Sequence, residues 1–436
     1  MQLPDNGQSP DELFDQMRRA AADDADWRSG KTWSLVYNAG DDVLEVAKRA
    51  HHAFFSANAL NPMAFPSLRR FETEVLEMAA DLLHGGGAAA GSMTTGGSES
   101  ILMALKTARD WGRATRPEVH APEVVLPVSA HPAFHKAAHY LGLHPIYAPL
   151  GVDYRVDVAA VAGALTERTV LVVGSAPSFP QGVIDDIPAL AALAAERGIL
   201  CHVDACVGGF FLPFLERLGA PVRPWDFRVP GVTSISADLH KYGYAARGAS
   251  TILYRDRALR RHQFHVQTTW PGGIYGSPTM TGSRAGGPIA AAWAVMRYLG
   301  VAGYERLART TMQATAELVA GVRACGLRIL GEPDMSLFAF AADDLEIYAL
   351  CDAMDQSGWK LDRQQLPPSA HLMVSPGHRP CVGAFLADLQ AAVAGLRQGA
   401  APPSGSAAMY GALASLPDRG MVGEFVLGFM DSLDQR

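Results

Sequence analysis

The chain has 436 residues, a formal net charge of −7 and 49% apolar residues, which is typical of a globular protein with two or three lobes and a sizeable core. Its 37 lysines and arginines are scattered rather than gathered into a stripe, so nucleic acid is not an expected partner. Five cysteines without a framework spacing predict reduced thiols. The N-terminus lacks the features of a signal peptide, and the apolar stretch 288–296 is too short to span a bilayer. We therefore expect a cytoplasmic protein with no transmembrane segment.

The first part of the chain alternates between strands and helices. Residues 9–25 open with Ser-Pro-Asp-Glu, which favours a helix start in a polar N-terminal arm. Strands are then predicted over 123–130, 169–177, 199–209, 232–241 and 250–256, with helices over 133–142 and 187–198. Continuous apolar strands alternating with helices indicate an α/β fold, with a mostly parallel sheet flanked by helices. Such sheets bind ligands outside the carboxyl ends of their strands.

The pattern changes after about residue 286 and predicts a smaller C-terminal α+β domain. Its predicted elements are helices over 288–299, 303–325, 344–357 and 382–397 and a strand near 335–341. A Gly/Pro/Ser-rich linker over 395–408 precedes a final helical segment. The predicted division is an N-terminal arm over 1–50, a large cofactor-binding domain over 51–286 and a small domain over 287–436.

Three features that carry chemistry follow successive strands. The first is the glycine-rich turn "TTGGSES" (94–100), which runs into a helix. Backbone N–H groups at such a helix start, together with the hydroxyls of Thr95 and Ser98, form an anion site suited to phosphate. The ordinary alternative is a tight turn with a helix cap.

The second feature is Asp204 in "HVDACVGG", at the end of an apolar run where a bare carboxylate is costly unless a cation meets it. Alternation along the strand places His202, Asp204 and Cys206 on one face. A zinc site on these residues is disfavoured, because ligands at this spacing spread over about 13 Å. The remaining alternative is an aspartate that caps the next loop.

The third feature is Lys241 in "SADLHKYGYAARG" (236–248), one of only six lysines in a chain with 31 arginines. A lysine in a cleft beside a buried acid can lose its proton and attack a carbonyl, whereas a lysine on a loop is ordinarily just solvated. A phosphate site, a carboxylate able to pair with a pyridinium nitrogen and an activated lysine together predict pyridoxal 5′-phosphate as the cofactor. His131 follows the strand at 123–130 and is a candidate to lie on the cofactor ring, the alternative being a loop or helix-cap histidine.

Longer motifs resemble those of a known family. The stretches "NPMAFPSLRRFETEV", "GSMTTGGSESILMA", "HVDACVGGFFLPF", "DFRVPGVTSISADLHKYGYAARG" and "WPGGIYGSPTMTGSRAGG" resemble the sphingosine-1-phosphate lyases of the soluble bacterial type. These lyases belong to the group II pyridoxal-phosphate-dependent decarboxylases, whose fold is fold type I. The resemblance extends from about Gly30 to the C-terminus.

The resemblance implies a role for each matching residue. Lys241 would bind the cofactor covalently, Asp204 would pair with the pyridine nitrogen and His131 would stack on the ring. The cofactor phosphate would be held by Gly96, Gly97 and Ser98, with His240 beside it. Gly282 and Ser283 would reach the phosphate of a neighbouring subunit, which implies a homodimer with shared active sites. Tyr37 and Asn58 would line the substrate side.

Two positions depart from the pattern of this family. Asn61 stands where the lyases usually carry a histidine thought to bind or deprotonate the substrate, and Met63 stands for an aspartate. Asparagine can hydrogen-bond but cannot take a proton near neutral pH. Arg247 stands where the lyases usually carry lysine; arginine can anchor a phosphate or carboxylate but cannot act as a base.

The expected activity is retro-aldol cleavage of a phosphorylated sphingoid base to a long-chain aldehyde and phosphoethanolamine. The substrate would be a small-molecule amine carrying a lipid phosphate. An L-amino-acid decarboxylase is the alternative, with Arg247 or Asn61 contacting a carboxylate. A third hypothesis is a catalytically silent protein that binds the cofactor, against which the set Lys241, Asp204 and His131 argues.

Overall fold

The computed structural model describes residues 2–399, 411–414, 416 and 418–433. The helices are α1 (Pro10–Ala20), α2 (Asp41–Ala53), α3 (Pro66–Leu82), α4 (Gly97–Thr115), α5 (Ala133–Leu141), α6 (Val158–Ala164), α7 (Ile187–Glu196), α8 (Leu212–Arg217), α9 (Arg257–Arg260), α10 (Gly286–Ala324), α11 (Ile347–Gln356), α12 (Val382–Arg397) and α13 (Arg419–Leu433). The strands are β1 (Ala90–Thr94), β2 (Glu123–Pro127), β3 (His144–Ala148), β4 (Thr169–Ser175), β5 (Leu200–Asp204), β6 (Ser234–Ala237), β7 (Ser250–Tyr254), β8 (His265–Gln267), β9 (Tyr275–Ser277), β10 (Arg328–Ile329), β11 (Leu337–Ala341), β12 (Asp362–Gln365) and β13 (Pro368–Met373).

The central sheet has seven strands in the order β1-β7-β6-β5-β4-β2-β3. Strand β7 runs antiparallel to its two neighbours, and the other pairs in the sheet are parallel. Strands β4 and β5 are buried along their whole length, as expected for a sheet covered on both faces. The predicted α/β fold with a mostly parallel sheet is therefore confirmed. Strands β1 and β3 are additions that the sequence pattern did not indicate.

The C-terminal lobe has its own antiparallel sheet, in the order β10-β11-β13-β12. Helix α10 precedes this sheet in the chain and is broken at Gly300. The backbone of Gly300 has φ 53° and ψ −176°, which glycine adopts readily. This break divides α10 into two helical parts, in agreement with the predicted pair of helices over 288–299 and 303–325. The smaller α+β lobe is confirmed.

The N-terminal segment connects the two lobes. Helix α1 begins as predicted, with a capping box between Ser9 and Glu12. Farther on, Thr32 forms a parallel bridge with Lys360, and Trp33 is buried in the core of the C-terminal lobe. The division of the chain at residues 50 and 286 stays a prediction. Most of the predicted linker over 395–408 lies outside the described residues, and the final helical segment is α13.

Candidate active site

The carboxyl ends of the parallel strands open into a cavity of about 590 Å³. Segments following β1, β2, β4, β5 and β6 contribute to its wall, together with residues of the C-terminal lobe and of the N-terminal segment. The predicted site residues that line this cavity are Tyr37, Gly96, Gly97, Ser98, His131, Asp204, His240, Lys241 and Arg247. We call it the cofactor cavity.

The glycine turn presents the start of α4 to the cofactor cavity. No side chain caps this helix start, so the N–H groups of its first turn are open to an anion. A Cβ on Gly97 would lie 2.7 and 2.9 Å from the carboxylate oxygens of Asp238 and 3.0 Å from Sγ of Cys206. Only glycine allows the turn to approach β5 and β6 this closely, because contacts under 3.0 Å force a shift of the neighbours.

Asp204 ends β5 at the cavity wall and is 8% exposed. Its Oδ1 accepts hydrogen bonds from the backbone N–H of Cys206 (3.0 Å) and the hydroxyl of Ser236 (3.2 Å). These are the hydrogen bonds that the described residues make to this carboxylate. Because both end on Oδ1, Oδ2 is free for a ligand. This arrangement suits a carboxylate that pairs with a cationic ring nitrogen.

His202 is buried in the core, and both of its ring nitrogens face serine hydroxyls. Its Nδ1 lies 2.9 Å from the hydroxyl of Ser234 and its Nε2 lies 3.2 Å from that of Ser236. Burial lowers the pKa of His202 to about 4, so the ring is neutral at pH 7. Across the described ranges, no cluster of three His, Cys, Asp or Glu side chains is arranged to hold a metal ion.

Lys241 forms an ion pair inside the cavity, with Nζ 3.1 Å from Oδ2 of Asp238. Burial alone would lower the pKa of Lys241, but the carboxylate of Asp238 outweighs it and the pKa is raised. Burial alone would raise the pKa of Asp238, but the ammonium of Lys241 lowers it. The carboxylate of Asp238 therefore favours the charged form of the amine.

The two predicted histidines lie at the cavity wall. Nδ1 of His131 accepts a hydrogen bond from the backbone N–H of Ala133 (3.2 Å), and partial burial lowers the pKa of its ring. His240 lies beside the glycine turn, where its Cε1 would be 3.3 Å from a Cβ on Gly96. Burial lowers the pKa of His240 despite the nearby carboxylate of Asp238.

Arg247 and Tyr37 stand between the cofactor cavity and a second cavity of about 470 Å³. The guanidinium carbon of Arg247 lies 5.5 Å from the ring centre of Tyr37, within range of a cation–π contact. Burial raises the pKa of Tyr37 to about 12, so the phenol is neutral. The second cavity has largely apolar walls, and polar side chains also line it. The apolar residues are Val36, Val43, Leu44, Ala47, Phe55 and Tyr244, and the polar ones include Asn38, Lys48, His51 and His52.

Four predicted site residues lie outside the wall of the cofactor cavity. Nδ2 of Asn58 donates to the hydroxyl of Ser283 (3.3 Å), and Gly282 lies beside the hydroxyl of Tyr275. Asn61 folds back on its own loop, with Oδ1 accepting from the backbone N–H of Met63 (2.9 Å). These residues form a separate surface cluster in the single chain.

The residues present fit pyridoxal 5′-phosphate. The open helix start of α4 matches a phosphate, the free Oδ2 of Asp204 matches a ring nitrogen, and the primary amine of Lys241 matches an aldehyde. Sequence reasoning missed Asp238, although it lies three residues before Lys241 in the quoted motif. It also missed Asp362, which lines the cavity from β12 and lies in no recognisable motif.

Comparisons with known proteins agree with this geometry. Residues 2–342 match the family of the pyridoxal-dependent decarboxylase conserved domain. The chain is similar to the sphingosine-1-phosphate lyase of Arabidopsis thaliana, with 42% identity over 431 residues that cover 97% of this chain and 79% of that protein. The corresponding protein of Dictyostelium discoideum is 39% identical, and the match covers 99% of this chain and 82% of that protein.

A solved structure is similar in fold and in sequence. The sphingosine-1-phosphate lyase of Burkholderia pseudomallei K96243 superposes with a TM-score of 0.91 at 37% identity, covering 100% of this chain and 97% of that chain. In the part of the chain that the structure describes, every helix is too short or too polar to cross a membrane.

Proposed function

Because the chain belongs to the pyridoxal-dependent decarboxylase family, and within it to the sphingosine-1-phosphate lyases, we propose that it cleaves a phosphorylated sphingoid base to a long-chain aldehyde and phosphoethanolamine. It is a pyridoxal 5′-phosphate-dependent lyase of fold type I. The substrate is thus an amine with a long hydrocarbon chain and a phosphate group.

One observation supports this substrate above others. The cofactor cavity, with Lys241 and Asp204, adjoins the apolar-walled second cavity at Arg247 and Tyr37. A long hydrocarbon chain gains free energy by leaving water for such walls, at about 25 cal/mol per Å² of apolar area. Arg247 adds a permanent positive charge at the junction, which suits a phosphate.

Different residues of the cofactor cavity bind different parts of the cofactor. We propose that the first-turn N–H groups at Gly96, Gly97 and Ser98 hold the cofactor phosphate, with His240 beside them. Asp204 holds a proton on the ring nitrogen through its free Oδ2, supported by the hydrogen bond from Ser236. His131 lies against the ring and excludes water from one side.

The same cavity supports the chemistry. Bound pyridoxal 5′-phosphate supplies an electron sink for the charge that develops at the amine-bearing carbon. Lys241 would hold the cofactor through its amine, and Asp238, 3.1 Å from that amine, would hold it in place as an ammonium when it is not bonded to the cofactor. Tyr37 and Arg247 orient the substrate where the two cavities adjoin.

The surface cluster of Asn58, Asn61, Gly282 and Ser283 supports a homodimer with shared sites. We propose that this cluster serves the cavity of a second copy, since it lies outside the cofactor cavity of its own chain. Exposed apolar side chains surround it or lie nearby in sequence, namely Leu60, Met63, Ile274 and Met280. Helix α1 also carries exposed apolar side chains, those of Phe14 and Met17, and none of its residues is buried in the single chain.

A cytoplasmic location is proposed as well, because all five cysteines are free thiols.

Product analysis tests the function. Purified holoenzyme incubated with sphinganine 1-phosphate should release phosphoethanolamine, measured by mass spectrometry; background release alone would refute the substrate. Carbon dioxide release from a panel of L-amino acids would instead support a decarboxylase, in which Arg247 pairs with a substrate carboxylate.

Asn61 offers a second comparison. The Asn61→His variant restores a side chain that can take a proton near neutral pH. A clear gain in lyase rate would show that Asn61 has shifted the enzyme away from the usual substrate of the family.

A further inference from the structure

Four carboxylates line the cofactor cavity: Glu99, Asp204, Asp238 and Asp362. Glu99 is fully engaged by protein donors. Its Oε2 accepts from the backbone N–H and the hydroxyl of Thr95 (2.7 Å each), and its Oε1 accepts from the backbone N–H of Met280 (2.9 Å). Glu99 is 6% exposed, and it would have to give up these three short hydrogen bonds to take a proton from a substrate.

Asp204 and Asp238 also have partners. Asp204 is the proposed partner of the cofactor ring nitrogen, and its Oδ1 is held by Ser236. Asp238 is 2% exposed and forms the ion pair with Lys241. Neither is available to a substrate hydroxyl.

Asp362 is differently placed, at the start of β12 on the C-terminal lobe. Its side chain is 33% exposed, and it faces the cavity. Oδ1 accepts a hydrogen bond from the hydroxyl of Ser34 (2.9 Å), and Oδ2 lies 3.4 Å from Nδ1 of the fully buried His371. Among the described residues, no lysine or arginine forms an ion pair with Asp362.

The supports of Asp362 are themselves fixed. The ring of His371 packs on Phe179, another residue of the cavity wall, with centroids 4.5 Å apart. Ser34 precedes Leu35, whose φ of 68° lies in the left-handed region that a leucine adopts only when its surroundings impose it. The carboxylate is therefore held at a defined place on the wall.

Asp362 also lies close enough to Tyr37 to influence it electrostatically. Its negative charge favours the protonated phenol, against the opposing charges of Lys241 and Arg247. Asp362 is therefore near Tyr37, which lines both the cofactor cavity and the second cavity.

We propose that Asp362 is a catalytic residue that accepts the proton of the substrate hydroxyl next to the amine-bearing carbon. This inference rests on the proposed lyase function. The O–H bond breaks and its proton moves to Asp362. The oxygen then forms a carbonyl double bond with its carbon, and the bond to the amine-bearing carbon breaks. That carbon keeps the electron pair and takes a proton, so the net change moves one proton from oxygen to carbon with no oxidant.

The same carboxylate also selects the substrate. A hydroxyl donates a hydrogen bond to Asp362, whereas the carboxylate of an amino acid placed there would be repelled. Asp362 thus favours a β-hydroxy amine over an L-amino acid.

The test compares holoenzyme of the wild type and of Asp362→Asn. The amide keeps an acceptor for Ser34 but cannot take the proton. We expect kcat with sphinganine 1-phosphate to fall by about 100-fold or more. The dissociation constant for the analogue without the hydroxyl, measured by calorimetry, should change less than about twofold, since that ligand makes no hydrogen bond to residue 362. A kcat within about twofold of wild type would overturn the proposal.

Controls separate this inference from the proposed function. Asp343→Asn removes a carboxylate of the same lobe that pairs with Arg328 at 3.1 Å and does not line the cavity, so it should leave kcat unchanged. If the wild type does not cleave the substrate, the lyase function fails, but both ligands can then be compared by binding. The catalytic role of Asp362 then fails with the lyase function, and the binding comparison tests its contact with the substrate hydroxyl. That contact is supported if the wild type binds the hydroxylated base about tenfold more tightly than the analogue and Asp362→Asn removes the preference; equal binding overturns it.

Discussion

Lys241 and Asp238 form a buried ion pair, with 3.1 Å between Nζ and Oδ2, three residues apart in one motif. Asp238 favours the charged amine, whereas burial lowers the pKa of Lys241. The pair therefore favours the protonated lysine, and the carboxylate of Asp238 also lies close to the glycine turn, 2.7 Å from where a Cβ on Gly97 would be.

Removing the carboxylate should lower the pKa of Lys241. Asp238→Asn removes the largest of the charges that oppose burial, so the pKa of Lys241 falls and a larger fraction of the amine is neutral at a given pH. Reductive methylation of the cofactor-free protein, followed by peptide mass spectrometry across a pH series, should show Lys241 reacting at lower pH than in the wild type. Exposed Lys136 serves as the internal control. An unchanged profile for Lys241 would contradict the ion pair.

Lys241→Ala should abolish the yellow absorbance of the covalently bound cofactor, because alanine has no amine to bind an aldehyde. Lys241→Arg is the matched control: it keeps a positive charge beside Asp238 and should also lack the band. Absorbance spectra of the purified proteins with added cofactor decide the point. Retention of the band in either variant would refute the assignment of Lys241.

A methyl group added at Gly97 in the glycine turn should weaken cofactor binding. In Gly97→Ala the new Cβ would lie 2.7 Å from Asp238, so the turn must move. We expect the dissociation constant for pyridoxal 5′-phosphate to rise about tenfold or more, measured by fluorescence titration of the cofactor-free protein. The control is Gly87→Ala, where nothing lies within 4 Å of the added Cβ. Equal affinities for both variants would show that the turn does not hold the phosphate.

Arg247 should matter most for a phosphorylated substrate. Arg247→Ala removes a charged donor, and KM should rise by about 10- to 100-fold for sphinganine 1-phosphate. Arg247→Lys should lose less, since it keeps the charge. Steady-state kinetics of these variants test this, with Arg217→Ala, which removes a surface ion pair to Glu305, as the control. An equal KM in Arg247→Ala would mean that the phosphate is bound elsewhere.

His202 should make the protein less stable in acid. The pKa of His202 is about 4 in the folded protein and near 6.5 when unfolded, so the unfolded chain binds more protons between these values. The free energy of unfolding therefore falls as pH drops below about 6.5, and this residue accounts for about 2 kcal/mol between pH 7 and 5. In urea unfolding, His202→Asn should show a smaller decline over this range. The exposed His139→Asn should decline like the wild type.

The sequence by itself determined the cofactor and much of the fold. Lys241 and Asp204 are recognisable because each follows a predicted strand, and the carboxyl ends of parallel strands share one edge. The turn at Gly97 is recognisable because it is rich in glycine and runs into a helix. Their chemistry depends on residue type and local position, both of which are visible in sequence. The family match confirms the predicted cofactor and the α/β fold.

The tertiary structure decided what surrounds these residues. Asp362 reaches the cavity only because the C-terminal sheet packs beside the central one and residues 31–38 connect the two. Asp238 was visible in the motif, but its pairing with Lys241 depends on the turn after β6. The first contact joins residues that are distant in sequence, and the second depends on how a short loop folds back. Both depend on how whole helices and strands pack, which the local sequence pattern does not predict.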